Sequence, residues 1–198
     1  MQFIDLAKQQ SLIKTNLDKR IQDVLAHGKY IMGPEIKEME TQLAEYVGAK
    51  HCVSCSSGTD ALLMPLMAWD VGPGDAVFTT PFTFIATAEV IQLLGATPIF
   101  VDIDPKTYNI SPALLDVAIA DVIEKGELNP KAIIPVDLFG LPADYAAIEL
   151  ISKKYDIKVL EDAAQGFGGQ IDDRKACSFG DAASTSFFPA KPLGCYGD

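Results

Sequence analysis

Apolar residues recur at helical spacing through the first quarter of the chain. The three-to-four-residue repeat runs over residues 1–27 and resumes between Pro34 and Val47. Gly28 and Gly48 stand where each repeat stops, and glycine is the usual residue just after a helix. Pro34 suits the first turn of a helix because its ring fixes a helical φ. This part of the sequence therefore predicts two helices.

From residue 50 onward, short apolar segments of strand length alternate with helical segments. The predicted strands are 50–57, 76–80, 99–103, 132–136, 157–160 and 182–187. The predicted helices are 58–69, 85–94, 111–124 and one that ends near residue 155. Such alternation predicts an α/β fold, with a mostly parallel sheet and helices on both faces. We expect residues 1–198 to form one domain with an N-terminal helical segment.

Small and hydroxyl residues precede the predicted helix that opens at Gly58. Ser57, Gly58 and Thr59 leave backbone N–H groups pointing out of the helix start, where the helix dipole favours an anion. An ordinary N-cap has the same residue types, so the local sequence leaves a phosphate site and a simple cap equally open.

A lysine lies among apolar and turn-forming residues near the end of the sequence. Pro189 and Pro192 fix φ on both sides of Lys191, and Gly194 allows a tight turn. An ammonium in such surroundings must be solvated, paired or neutralised, and a neutral amine can condense with an aldehyde. The alternative for a lone lysine is a solvated position on a surface loop.

Further candidates follow other predicted strands. Phe84 comes after one strand and would either stack on a flat ring or belong to the core, and Asp162 and Gln165 follow another. In parallel sheets ligands bind beyond the carboxyl ends of the strands. We therefore expect the anion site, the aromatic ring, the carboxylate and Lys191 to meet at one edge of the sheet.

Composition excludes several classes of protein. The chain has 198 residues, is 48% hydrophobic and carries a formal net charge of −11. That charge argues against nucleic acid or an anionic membrane as a partner, since both select a basic surface. The start of the sequence lacks the pattern of a signal peptide, and no apolar run reaches membrane-spanning length, so we expect a cytoplasmic protein.

Cys52 and Cys55 form a C-x-x-C pair preceded by His51, which raises a zinc or redox site as one interpretation. No second pair completes a metal site, so we expect no metal and treat the four cysteines as buried thiols. No predicted strand is followed by the G-x-G-x-x-G fingerprint, which disfavours a nicotinamide-dependent oxidoreductase.

A phosphate cradle, an aromatic clamp, an acid and a condensing lysine are together what pyridoxal 5'-phosphate requires. The sequence also resembles the sugar-nucleotide aminotransferases of the DegT/DnrJ/StrS type, which are fold-type I enzymes. The matching stretches are 30–35, 57–62, 83–88, 101–104, 133–136, 160–165 and 185–198.

The resemblance implies a role for each candidate residue. Lys191 would bind the cofactor covalently, Asp162 would pair with the ring nitrogen, Gln165 would bind the ring hydroxyl and Phe84 would stack on the ring. The phosphate would be bound by Gly58, Thr59 and Ser186. Catalysis would rest on Lys191 and Asp162, and Lys191 in place of the histidine of related dehydratases favours amino transfer.

The resemblance also implies the reaction. Glutamate would donate an amino group to a keto sugar nucleotide, and residues 186–198 most resemble enzymes that aminate UDP-2-acetamido-2-deoxy-3-oxo-glucuronate. The alternatives are a 4-keto sugar nucleotide and a non-catalytic regulator that binds the cofactor. Family members are about twice this length, so we expect a PLP-binding large domain without the smaller C-terminal domain. A homodimer acting in O-antigen or capsule synthesis is expected of the full-length enzyme.

Overall fold

A computed structural model describes residues 5–196 of the chain. Residues 1–4, at the start of the first predicted helix, and residues 197 and 198, at the end of the last stretch of resemblance, lie outside the described residues. The described chain forms two compact units, which divide after Ser54.

The first unit holds two helices, α1 (Leu6–His27) and α2 (Pro34–Val47). Both predicted helices are confirmed within the described residues, as are both glycine ends. Gly28 has φ 66° and donates its N–H to the carbonyl oxygen of Val24. Gly48 ends α2 in the same left-handed conformation, which favours glycine because it has no Cβ. The Arg20–Glu38 ion pair and a 3.0 Å hydrogen bond between the side chains of His27 and Glu35 connect the helices.

The predicted strand over 50–57 is wrong, because this segment is irregular. The backbone N–H and the hydroxyl of Ser54 both donate to Oε1 of Glu40, each at 2.7 Å. The Glu40 side chain thus takes the backbone N–H of Ser54, a group that in a sheet would pair with a neighbouring strand. The apolar pattern of the segment does not reveal this contact.

The described residues of the second unit contain four α-helices and seven strands. The helices are α3 (Gly58–Ala68), α4 (Ala86–Leu93), α5 (Pro112–Lys125) and α6 (Tyr145–Tyr155). The strands are β1 (Asp75–Thr79), β2 (Thr97–Phe100), β3 (Asn129–Ile134), β4 (Lys158–Asp162), β5 (Gln170–Ile171), β6 (Arg174–Lys175) and β7 (Ala182–Ser184).

Five of these strands form one sheet in the order β2-β1-β3-β4-β7, and all four pairings are parallel. The prediction of a mostly parallel sheet is confirmed. β2 lies earlier than the predicted 99–103, and Ile103 forms only an isolated bridge with Ile110. The antiparallel pair β5–β6 was not predicted, because strands of two residues are too short to show an alternating pattern.

Alternate residues of the central strands pack into two separate cores. Phe78 and Val159 belong to the core beneath α5 and α6, whereas Val77 and Leu160 belong to the core beneath α3 and α4. Successive side chains of a strand point to opposite faces, so both faces of the sheet are covered by helices. The same alternation decides which strand-end residues face α3 and α4.

Candidate functional site

A cavity of about 360 Å³ lies at the carboxyl ends of the parallel strands. Its volume falls within the range of small-molecule sites. The structure brings all seven predicted site residues into its lining: Gly58, Thr59, Phe84, Asp162, Gln165, Ser186 and Lys191. They come from four segments of the chain. Three of these lie at the carboxyl ends of β1, β4 and β7, which meet at one edge of the sheet, and the fourth is the start of α3.

The start of α3 forms one wall of this cavity. Ser57 caps the helix, with its hydroxyl oxygen accepting the backbone N–H of Asp60 at 3.1 Å. The first intrahelical bond joins the N–H of Ala61 to the carbonyl of Ser57, so the N–H groups of Gly58 and Thr59 precede the helical ladder. The capped helix start therefore still offers two backbone donors and its positive dipole end to an anion.

Ser186 lies directly against this helix start. A Cβ placed on Gly58 would stand 2.6 Å from the Cβ of Ser186, a distance that atoms of this kind do not tolerate. Glycine at position 58 is thus what lets the loop after β7 approach α3. Ser186 is almost fully buried, and its Oγ accepts the N–H of Phe188 at 3.3 Å.

Asp162 ends β4 and is 4% exposed. Its Oδ2 accepts the hydroxyl of Thr87 at 2.8 Å, and its Oδ1 accepts the backbone N–H of Ala164 at 3.2 Å. Burial raises the pKa of Asp162, while these two hydrogen bonds and the positive charge of Lys191 lower it. A buried carboxyl is thereby held in place beside the cavity by donors that favour its ionised form.

Lys191 is half-buried in the turn that follows β7, and its backbone N–H donates to the carbonyl of Phe188 at 2.8 Å. A Cβ at Gly194 would lie 2.2 Å from the carbonyl oxygen of Pro189, so the predicted tight turn requires glycine there. The lysine lines the same cavity as Asp162 and lies near enough for its charge to act on that carboxyl.

Two predicted residues stand at exposed positions of the cavity wall. The side chain of Phe84 is 68% exposed, which leaves a large apolar ring without core packing, and Gln165 is exposed as well. Of the two interpretations of Phe84, membership of the core is therefore wrong, and stacking on a flat ring stays a prediction.

Sequence reasoning missed Thr87, although it is 1% exposed and bonded to the site carboxylate. Its hydroxyl also lies 2.8 Å from that of Thr83, four residues earlier. The i, i+4 spacing of two threonines was the available signal, but the bond to Asp162 spans 75 positions and depends on the fold.

The remaining expectations concern cysteines, metals and membranes. Cys55 and Cys195 are exposed, so the prediction of buried thiols is wrong for both. Within residues 5–196 no three histidine, cysteine or carboxylate side chains are grouped to hold a metal ion. Among the helices of that range, none is both long enough and apolar enough to cross a membrane.

Comparison with known proteins places this geometry in a family. The model of the DegT/DnrJ/EryC1/StrS aminotransferase family matches residues 11–198. The chain is 54% identical over 198 residues to the UDP-2-acetamido-2-deoxy-3-oxo-D-glucuronate aminotransferase of Pseudomonas aeruginosa, covering 100% of this chain and 53% of that protein. It is 43% identical to a pleiotropic regulatory protein of Geobacillus stearothermophilus, covering 99% of this chain and 51% of that protein.

Solved structures of related proteins have the same fold. A DegT DnrJ EryC1 StrS aminotransferase from Brucella abortus superposes with a TM-score of 0.98 at 54% identity, covering 100% of this chain and 53% of that one. A Bacillus subtilis protein with bound cofactor PMP gives 0.85 at 32% identity over 100% of this chain and 43% of its own. The PLP form of a sugar aminotransferase from Streptococcus pneumoniae superposes with a TM-score of 0.78 at 31% identity, covering 88% of this chain and 47% of that one.

These superpositions confirm the predicted fold class, the aminotransferase large-domain α/β fold. This chain spans about half the length of the curated relatives it matches.

Proposed function

This chain belongs to the DegT/DnrJ/EryC1/StrS aminotransferase family, and we propose that it forms the cofactor-binding part of a pyridoxal phosphate-dependent sugar-nucleotide aminotransferase. The observation that carries the proposal is the meeting of Lys191, Asp162 and the start of α3 at one cavity. The amine of Lys191 can condense with an aldehyde, the carboxylate of Asp162 can pair with a protonated ring nitrogen, and the start of α3 can bind a phosphate.

The residues present fit pyridoxal phosphate. The backbone N–H groups of Gly58 and Thr59, together with Ser186, would bind its phosphate at the start of α3. The exposed ring of Phe84 would stack on the cofactor ring, and Gln165 would donate a hydrogen bond to the ring hydroxyl. When bound, pyridoxal phosphate supplies an electron sink for transamination.

Asp162 and Lys191 are the two residues that we propose to hold and transfer protons during the reaction. The carboxylate of Asp162, held by Thr87 and Ala164, would keep a proton on the ring nitrogen of bound cofactor. The amine of Lys191 would hold the cofactor covalently and would act as the group that accepts and returns a proton during amino transfer.

For the substrate we propose amino transfer from glutamate to UDP-2-acetamido-2-deoxy-3-oxo-glucuronate. The similarity to the UDP-2-acetamido-2-deoxy-3-oxo-D-glucuronate aminotransferase of Pseudomonas aeruginosa, at 54% identity, supports this acceptor over a 4-keto sugar nucleotide. Action as a cytoplasmic homodimer in O-antigen or capsule synthesis remains a prediction from the resemblance.

A second candidate is a regulator that binds pyridoxal phosphate without turnover. The similarity to a protein named as a pleiotropic regulator favours it. The higher identity to an aminotransferase, 54% against 43% for that regulator, favours the enzyme.

The test of cofactor binding is covalent trapping. Purified protein incubated with pyridoxal phosphate should turn yellow, and borohydride should fix the cofactor to Lys191, as located by peptide mass spectrometry. Lys191→Ala should remain colourless, whereas Lys153→Ala, which changes an exposed lysine of α6, should behave as the unmodified protein. A colourless unmodified protein that behaves like Lys191→Ala would refute the assignment.

The acceptor is tested separately with a panel of 3-keto and 4-keto sugar nucleotides and glutamate as donor. Amination of the 3-keto glucuronate is expected. Exclusive use of a 4-keto sugar would overturn the acceptor, and a yellow protein inactive on the whole panel and with glutamate would favour the regulator.

A further inference from the structure

Two further carboxyl groups are buried on the sheet face opposite the cavity. Glu161 precedes Asp162 in β4 and therefore points to the other side of the sheet, and Asp137 lies just beyond the end of β3. Both residues are 0% exposed. Acidic side chains are almost never buried this completely without a counter-charge, so the pair calls for an explanation.

The hydrogen bonds around the pair leave one oxygen without a donor. Oε1 of Glu161 accepts the N–H of Cys177 at 2.6 Å, and Oε2 accepts the N–H of Phe179 at 2.9 Å. Oδ1 of Asp137 accepts the N–H of Ala143 at 2.9 Å and the hydroxyl of Tyr145 at 3.1 Å. Oδ2 of Asp137 is buried and has no donor among the described residues when both acids are written as carboxylates.

The side chains of Asp137 and Glu161 are neighbours: the Tyr145 hydroxyl binds Asp137, and the Tyr145 ring stacks at 4.4 Å on that of Phe179, whose backbone N–H binds Glu161. A hydrogen bond between the two carboxyls contributes to the pKa of each. Two carboxylates at that range repel each other and cannot bond, whereas a carboxylic acid and a carboxylate attract and bond strongly. We propose that Asp137 and Glu161 share one proton in the folded protein, and that this bonded acid pair is a positioning element for the strand end that carries Asp162. The shared proton supplies the donor that Oδ2 of Asp137 lacks.

The surrounding groups favour keeping that proton. Burial raises the pKa of Asp137 to about 7, and burial together with the charge of Asp137 raises the pKa of Glu161 to about 9. Tyr145 of α6 and Asp162 of β4 also act on the pair, and neither brings a positive charge. Arg174 of β6 directs its guanidinium to Glu149, the Ser178 carbonyl and the Phe179 ring.

The pair connects three segments behind the cavity wall. Through Glu161 it holds the loop 177–179, and through Asp137 it holds residues 143–145. The backbone N–H of Asp137 also donates to the carbonyl of Asp162 at 3.0 Å, and the N–H of Asp162 donates to Pro135 at 2.9 Å. A change in the acid pair is thus transmitted directly to the backbone that presents Asp162.

The proton makes folding depend on pH with a defined sign. Above about pH 5 the unfolded chain has released both protons, whereas the folded pair retains one up to about pH 9. Folding therefore takes up a proton, and the folding constant of the unmodified protein falls by up to about tenfold per pH unit between pH 7 and 9 from this pair.

The experiment measures urea unfolding of cofactor-free protein from pH 5 to 9 in the unmodified chain and in Glu161→Gln, whose amide gives Asp137 a permanent donor. The folding constant of Glu161→Gln relative to the unmodified protein should rise by roughly tenfold per pH unit between pH 7 and 9. Glu124→Gln, on the exposed face of α5, should leave the slope unchanged. A ratio for Glu161→Gln that stays constant across this range would overturn the proposal.

Infrared spectroscopy of the unmodified protein gives a second measurement that needs no variant to fold. At pH 8 the folded protein should show the carbonyl band of a protonated carboxyl group, and Asp162→Asn should retain it. Absence of the band, or its loss in Asp162→Asn, would equally refute the shared proton. Asp137→Asn removes the charge that raises the pKa of Glu161, so the band should disappear at a lower pH than in the unmodified protein, and this variant serves if Glu161→Gln does not fold. Because no step requires pyridoxal phosphate, failure here leaves the proposed function untouched.

Discussion

The bond from Thr87 to Asp162 is the contact whose removal should report most directly on the site carboxylate. Thr87→Val keeps the shape of the side chain and removes only the hydroxyl that donates to Oδ2 at 2.8 Å. Thr87 is 1% exposed and Asp162 is 4% exposed, so their bond is largely shielded from water. A hydrogen bond to a charged group contributes about 1.5–3 kcal/mol, against about 0.5–1.5 kcal/mol for a neutral one.

The sign of the pH dependence follows from the charge of Asp162. The Thr87 hydroxyl lowers the pKa of Asp162, so its removal raises that pKa further and penalises the ionised form. The loss of unfolding free energy in Thr87→Val should therefore grow from about 1 kcal/mol at low pH, where Asp162 is protonated, to about 2–3 kcal/mol at high pH.

The assay is urea unfolding of cofactor-free protein across this pH range, with Thr87→Ser as the matched control. Serine keeps the donor and removes one buried methyl, which should cost about 1 kcal/mol at every pH. A Thr87→Val variant with the same deficit at both ends of the range, or with none, would refute the reasoning that the hydroxyl stabilises a carboxylate.

Three further predictions concern the cavity wall. Gly58→Ala should destabilise the protein by about 1–3 kcal/mol, because its Cβ would stand 2.6 Å from that of Ser186. Adding Ser186→Gly should restore most of the lost stability. A double variant no more stable than Gly58→Ala would contradict this. Phe84→Ala should change the free energy of unfolding by less than about 0.5 kcal/mol, since the ring is 68% exposed, while weakening pyridoxal phosphate binding measured by titration. Equal binding in both proteins would remove Phe84 from the site. Asp162→Asn should retain some cofactor but lose most amino transfer in a stopped-flow half-reaction with glutamate, and unchanged turnover would argue against its assigned role.

Much of the fold could be predicted because its determinants are local. Ser111 before Pro112 gives the start of α5 as the structure has it, with the Ser111 hydroxyl accepting the N–H of Leu114. Apolar segments of strand length gave the five strands of the sheet to within a few residues. The predicted strand over 50–57 failed because Glu40, distant in sequence, binds its backbone.

The site was predictable to the extent that its residues are recognisable one at a time. Lys191 and the helix start at Gly58 stand out by their neighbours, and the rule for parallel sheets predicts that they meet. Thr87 and the pair of Asp137 and Glu161 could not be found in this way. Thr87 and Asp162 are 75 positions apart in the sequence, and Asp137 and Glu161 are 24 positions apart. Only the folded sheet brings the two members of each pair together.

The adjacency of Glu161 and Asp162 restricts how β4 can change in any redesign. Inserting or deleting one residue upstream in this strand would turn each carboxyl to the opposite face, so that the acid of the cavity and the acid of the interior would trade surroundings. Insertions and deletions are therefore tolerable only in the loops on either side of β4, because the register of the strand itself is fixed by its two carboxyl groups.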